Sequence, residues 1–255
     1  VSVLLIGASG LAREVIAAGM PDVVGVLDDD PGMLGTLCGG VPVVGPAEDA
    51  ARRDERLLVC IGPGRSRRQV VRRLDRAGVA PERYAVFVAP GARVGRSSVV
   101  GAGSILLDGA VVTADARLGR HVVLMPGCTV THDDVLEDFA TLAAGVSLGG
   151  GVRVGEAAYL GMNASVRPYA TVHAGATVGM GAVVLRDVPA GETWAGVPAR
   201  ALPLDTRPIP IAETGDARIA VPDPLRPDAL RPDALRPDPL RPDPLRPDPL
   251  REVPA

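Results

Sequence analysis

From Val88 to Val184 every sixth residue is valine or leucine, seventeen positions in phase without an insertion. Four residues after each stands a second series, mostly Ala, Ser, Cys or Val, broken only by Asp134. A period of six fits neither the 3.6 of an α-helix nor the 2 of a plain strand. It fits a triangular prism, each side a short strand that turns one branched and one small residue inward. Three sides make a coil, and coils joined by strand pairing lie about 4.8 Å apart, so the prism stands about 27 Å tall. Aromatic residues are only 2% of the chain, as a narrow interior without room for rings requires.

Residues 1–85 alternate strand and helix signals. VSVLLIG, VVGVLDDD and LLVCIG read as strands; LAREVIAAG and the amphipathic SRRQVVRRLDRAG read as helices. Such alternation predicts a small parallel sheet of Rossmann-like type. The turn Gly7-Ala8-Ser9-Gly10 lacks the third glycine of a dinucleotide fingerprint, but the helix start it creates suits a phosphate.

Residues 86–202 form the prism and residues 203–255 a low-complexity tail. Fourteen of the 25 prolines lie in that tail, and from Leu225 to Arg251 it repeats a Leu-Arg-Pro-Asp-Pro/Ala pentad whose charges cancel. Proline at that density removes the donors that helices and sheets need, so the tail is expected to be disordered and extended.

The net charge of −3 offers nothing for nucleic acid or a membrane surface. All 27 basic residues are arginine, which excludes lysine chemistry. Cys38, Cys60 and Cys128 match neither a zinc spacing nor a disulfide framework, and a cytoplasmic setting is expected. The apolar run Val1–Ile6 is too short for a signal segment or a membrane span.

The prism interior is closed, so chemistry must lie on its corners or in grooves between subunits. Of the three histidines, His132 occupies a corner, next to Asp133, in the hexad that Asp134 disrupts. Departures from local regularity are expected at functional sites, and a carboxylate beside an imidazole raises its basicity. His132 is therefore a candidate general base. His121 and His173 have no such company and are read as structural. The histidine spacing fits a three-histidine metal site poorly, so no metal is expected; a metal-dependent hydratase is a remote alternative.

GASGLAREV, VLDDD, CIG, THDD in the hexads and GMGAVVLRDVPAGETWAGVPARAL occur in that order. Together they resemble the bacterial nucleotide-sugar acetyltransferases of the PglD/NeuD family, over about residues 1–202. The resemblance implies a mainly β protein: a left-handed parallel β-helix (hexapeptide repeat) after a nucleotide-sugar-binding α/β domain, assembled as a homotrimer with sites between subunits. It implies His132 as base, Asp133 as its acidic neighbour and Gly150 as an oxyanion donor. Thr141, Met162, Gly179, Met180 and Gly181 fall where the family contacts acetyl-CoA. Ser9, Gly10, Leu11, Asp28, Asp29 and Gly62 fall where it holds the nucleotide sugar.

Two positions depart from the family. Thr141 replaces a second histidine nine residues after the base, and Met125 replaces an asparagine that contacts the sugar. The implied reaction is direct acetyl transfer from acetyl-CoA to a nucleotide-linked amino sugar. Sugar O-acetylation by the same base and a non-catalytic nucleotide-sugar-binding scaffold are the alternatives.

Overall fold

A computed structural model describes residues 1–203. The expected tail lies outside them, apart from its first residue. The described residues belong to one compact unit.

The chain opens with β1 (Val3–Ile6), all four residues buried, then α1 (Gly10–Ala17) and β2 (Val23–Leu27). The Ser9 hydroxyl caps α1 by accepting from the Ala12 N–H at 3.3 Å. A short strand β3 (Leu37–Cys38) pairs antiparallel with β4 (Val41–Gly45), and β5 (Arg56–Val59) leads to α2 (Gly64–Arg76). The sheet order is β3-β4-β2-β1-β5, with β4-β2-β1-β5 parallel. The β3–β4 hairpin adds an edge that the alternation of strand and helix signals did not predict. Its Pro42 and flanking glycines hide the strand pattern.

From Phe87 the chain winds into a parallel β-helix. Its three faces carry six, five and eight strands, and neighbouring strands on a face are eighteen residues apart, as Val111↔Thr129 and Arg117↔Val135 show. From Leu106 to Val184 the branched series is buried without exception, whereas Val88 at the open lower end is 40% exposed. Each buried Val or Leu contributes about 1.5–3 kcal/mol. At the upper end Trp194 joins the core, its Nε1–H donating to Glu192 at 2.8 Å with the Arg186 guanidinium 5.0 Å from the ring centroid.

The corners repeat as strictly as the interior. Every sixth residue from Gly103 to Gly181 is left-handed, with φ between +53° and +76°. Glycine, Asp115, Asp133 and Asn163 take that conformation at low cost. Phe139, Ala157 and Tyr169 do not; each is tied to the preceding coil by its N–H, which donates to the carbonyl of Arg120, Asp138 or Gly150, and the conformation costs about 1–3 kcal/mol each.

The α/β sheet is packed against one face and one edge of the β-helix. Ile105, Leu107 and Val123 of that face share a core cluster with Leu5, Val15 and Leu58. At the edge, a Cβ on Gly64 would lie 2.2 Å from the Phe139 carbonyl oxygen, so only glycine lets α2 start that close. His121 is buried between Tyr84 (centroids 4.6 Å) and Phe139 (5.1 Å). Burial and the nearby arginines hold its pKa down to about 3, which leaves it a neutral packing group.

Candidate active site

His132 and Asp133 form the turn between the face of Thr129–Val130 and the face of Val135–Leu136. Both side chains are exposed, and His132 Nδ1 lies 2.8 Å from Asp133 Oδ2. With Nδ1–H donated to the carboxylate, the lone pair of neutral imidazole sits on Nε2. The hydrogen bond to Asp133 raises the His132 pKa above its ordinary value, helped by the charges of Asp133, Asp134 and Asp115.

Gly150 occupies the same corner one coil further on, and the coils are joined there by the Gly151 N–H donating to the His132 carbonyl at 3.0 Å. A Cβ on Gly150 would lie 2.4 Å from His132 Cε1 and 2.5 Å from Nε2. The imidazole therefore rests on the backbone of Gly150, and a side chain there would displace the ring. Among the described residues no group accepts from the Gly150 N–H. An imidazole nitrogen and a backbone N–H with no acceptor among the described residues thus lie close together, an arrangement chemically suited to general-base acyl transfer.

Asp134 is not part of this exposed pair. It points into the prism and is fully buried, its oxygens accepting from the Thr131 N–H at 2.7 Å and the Val152 N–H at 2.8 Å. The polar cluster expected around His132 is therefore split, with one carboxylate beside the ring and one beneath its turn.

A second site lies at the ends of β1, β2 and β5, a cavity of about 270 Å³ lined by Ser9, Asp28, Asp29 and Gly62 among others. Asp28 accepts from the Ala8 N–H at 2.6 Å, so the glycine turn presents a carboxylate where a free phosphate-binding amide was expected. The cavity accordingly suits hydroxyl and N–H donors better than an anion. Asp29 accepts from the Ala47 N–H at 3.0 Å and pairs with Arg73 of α2. Gly10 opens α1 and is exposed. Leu11 corrects the expectation, because its side chain is buried in the core under α1 and does not line the cavity.

The residues expected to meet acetyl-CoA separate. Met162 and Met180 are 47% and 69% exposed and share one edge of the prism with Gly181, which has open space around it. That edge is one face away from the His132 edge in the same chain. Gly179 is tied to packing: a Cβ there would lie 2.7 Å from the Ala195 Cβ. Thr141 is the clearest correction. It is 3% exposed, accepts from Arg67 Nη2 at 2.9 Å and donates to the Gly62 carbonyl at 3.1 Å. The start of α2 and the loop before it meet it, so it does not face an open groove.

Arg67 is the residue that sequence reasoning missed. It is fully buried in α2 and donates to Ile61 O (2.6 Å), Gly62 O (2.7 Å), His121 O (2.9 Å) and Phe139 O (3.0 Å). Burial pulls its pKa down to about 10. The signal was present but weak: Arg67 stands on the apolar side of an arginine-rich helix, where it reads as one more solvated charge. Among the described residues no cluster of His, Cys, Asp or Glu could hold a metal ion, and no helix is long and apolar enough to cross a membrane.

No family profile and no curated protein sequence matches the chain. Solved structures do. Perosamine N-acetyltransferase from Caulobacter crescentus, a variant in complex with CoA and GDP-perosamine, is 32% identical with a TM-score of 0.73, covering 80% of this chain and 97% of that one. The acetyltransferase domain of PglB from Neisseria gonorrhoeae is 32% identical with a TM-score of 0.71, covering 79% and 99%. WeeI from Acinetobacter baumannii is 28% identical with a TM-score of 0.71, covering 79% and 99%. At that identity over nearly the full length of those proteins, with the repeat and the His132–Asp133 corner in place, the chain belongs to the hexapeptide-repeat nucleotide-sugar acetyltransferases of the PglD/NeuD type.

Proposed function

We propose that the protein is an acetyl-CoA-dependent N-acetyltransferase acting on a nucleotide-linked amino sugar. The observation that carries this reading is the imidazole of His132 lying on Gly150, its Nδ1 2.8 Å from Asp133. It is supported by the perosamine N-acetyltransferase structure that holds CoA and GDP-perosamine.

The neutral amine attacks the thioester carbonyl carbon, and His132 Nε2 takes the proton that nitrogen releases as the bond forms. The Gly150 N–H meets the oxygen as it becomes an oxyanion, an interaction worth about 3 kcal/mol in comparable sites. Collapse breaks the C–S bond, and the thiolate leaves with the proton that His132 held. No covalent enzyme intermediate is required, and Cys128 is buried with its thiol pushed up to about 11.

Three finer points belong to the same proposal. The β-helix is left-handed and the N-terminal sheet is Rossmann-like, holding the nucleotide at Ser9, Asp28, Asp29 and Gly62. The active unit is a cytoplasmic homotrimer. Its groove sets the His132 edge of one protomer against the Met162 and Met180 edge of another, so that residues one face apart in a single chain meet around one acetyl-CoA.

Incubation with acetyl-CoA and GDP-perosamine, followed by mass spectrometry and thiol release, tests the reaction. N-acetylated sugar and stoichiometric CoA are expected. Absence of both across a panel of nucleotide-linked amino and hydroxy sugars contradicts it.

A further inference from the structure

The strand ladder of the β-helix has one missing rung. From Ala89 to Arg167 every sixth residue donates its N–H to the carbonyl seventeen residues on, as in Thr113 to Val130, Met125 to Leu142 and Glu137 to Val154. Thr131, immediately before His132, does not. Its N–H turns to Asp134 Oδ2 at 2.7 Å, and its hydroxyl takes the Leu148 carbonyl instead, at 3.1 Å. The pairing of the Thr129–Val130 and Ser147–Leu148 strands is correspondingly reduced to Thr129↔Ser147.

Asp134 occupies an inward position that is Ala, Ser, Cys or Val elsewhere. Ser98 and Ser104 stand at equivalent positions, and each accepts from the N–H eighteen residues on (Ala116 and Val122, both 3.0 Å) while donating to a carbonyl. Asp134 makes the same forward bond, to the Val152 N–H at 2.8 Å. Its second oxygen does what a hydroxyl cannot: it reaches back across the turn to Thr131. A buried carboxylate is tolerated only where hydrogen bonds satisfy it, and both bonds here go to the backbone flanking the reactive pair. One holds the turn of His132; the other holds the coil just after Gly150.

We infer that Asp134 is a positioning residue for acetyl transfer, drawing the His132 turn out of the regular ladder and fixing it to the coil of Gly150. The inference rests on the reading of His132 as the base. Side chains that compete with the ladder for backbone groups reshape it locally, and misplacing a catalytic group by about 1 Å can cost about 10² in rate.

The test compares Asp134→Ser, Asp134→Asn and His132→Ala in the full chain. Asp134→Ser restores the hydroxyl found at Ser98 and Ser104 and frees the Thr131 N–H to rejoin Leu148. It is expected to keep or raise its thermal midpoint at neutral pH, to lose about 30-fold or more in kcat, and to leave KM for both substrates within about threefold. Asp134→Asn keeps the size but replaces one acceptor by a donor, and should fall between. The His132 imidazole, titrated by NMR, should lose part of its raised pKa in Asp134→Ser, because Asp133 and Asp115 remain as its acidic neighbours. A wild-type kcat in folded Asp134→Ser overturns the inference; if that variant fails to fold, a wild-type kcat in Asp134→Asn does so, because an amide keeps only one of the two carboxylate acceptors that hold Thr131 and Val152. His132→Ala separates the two failures: full activity there removes the base itself, whereas an inactive His132→Ala beside a fully active Asp134→Ser removes only the positioning role.

Discussion

Arg67 Nη2 donates to Thr141 Oγ1 at 2.9 Å, and that hydroxyl in turn donates to the Gly62 carbonyl at 3.1 Å. A buried arginine thus ties the loop of the proposed nucleotide cavity to the β-helix. Its acceptors are backbone carbonyls and one hydroxyl, so no carboxylate offsets its charge.

Arg67→Met should destabilise the protein by more than about 3 kcal/mol, because it strands several buried carbonyls at about 1–3 kcal/mol each. Arg67→Lys should recover little, since an ammonium cannot match the planar fork. Urea unfolding midpoints measure both.

Gly150→Ala places a methyl group where the His132 ring now lies, 2.4 Å from Cε1. The backbone of Gly150 is not left-handed, so the variant should fold. The ring must swing off the Gly150 N–H, and kcat should fall about 10²-fold with little change in the thermal midpoint.

Asp133→Asn replaces the carboxylate, whose hydrogen bond is the largest cause of the raised His132 pKa, by a neutral and weaker acceptor. Activity requires the unprotonated imidazole, so the acid limb of the kcat/KM profile marks that pKa. In the variant the limb should move to lower pH, and the plateau should drop at least tenfold as the weaker base takes the proton less readily. An unmoved limb would show that Asp133 does not tune the base.

Burial lifts the Asp134 carboxyl from 3.8 to about 6. A folded-state pKa above the unfolded one means the native protein binds this proton more tightly. Its contribution to stability is therefore present below about pH 4 and is lost as pH rises through about 6. Relative to Asp134→Ser, the wild type should lose about 2–3 kcal/mol between pH 4 and pH 7. Unfolding of the two proteins across that range tests the sign. The loss at neutral pH is what an ionised positioning carboxylate costs the fold.

The hexad series made the prism legible because each inward position has a single steric requirement, repeated coil after coil. His132 was legible for the same reason: a corner residue in a strict repeat has only one way to point. Residues whose role depends on which segment covers them were not. Thr141 reads as an outward strand residue and becomes buried only because the start of α2 and the loop before it meet it. Leu11 follows the glycine turn in sequence, yet the helix rotates it into the core. Gly179 reads as backbone access, but its missing side chain makes room for Ala195. Arg67 carries no local sign that carbonyls from two parts of the chain converge on it. The Asp134 irregularity was visible, but its partners, Thr131 and Val152, emerge only from the stacking of coils.

The most direct test of the account is steady-state acetyl transfer by His132→Ala, with acetyl-CoA and the nucleotide-linked amino sugar the wild type prefers. A drop in kcat of about 10² or more is predicted, with circular dichroism and hydrodynamic size unchanged. Turnover at the wild-type rate in that variant would contradict the claim that this imidazole, seated on Gly150, moves the proton.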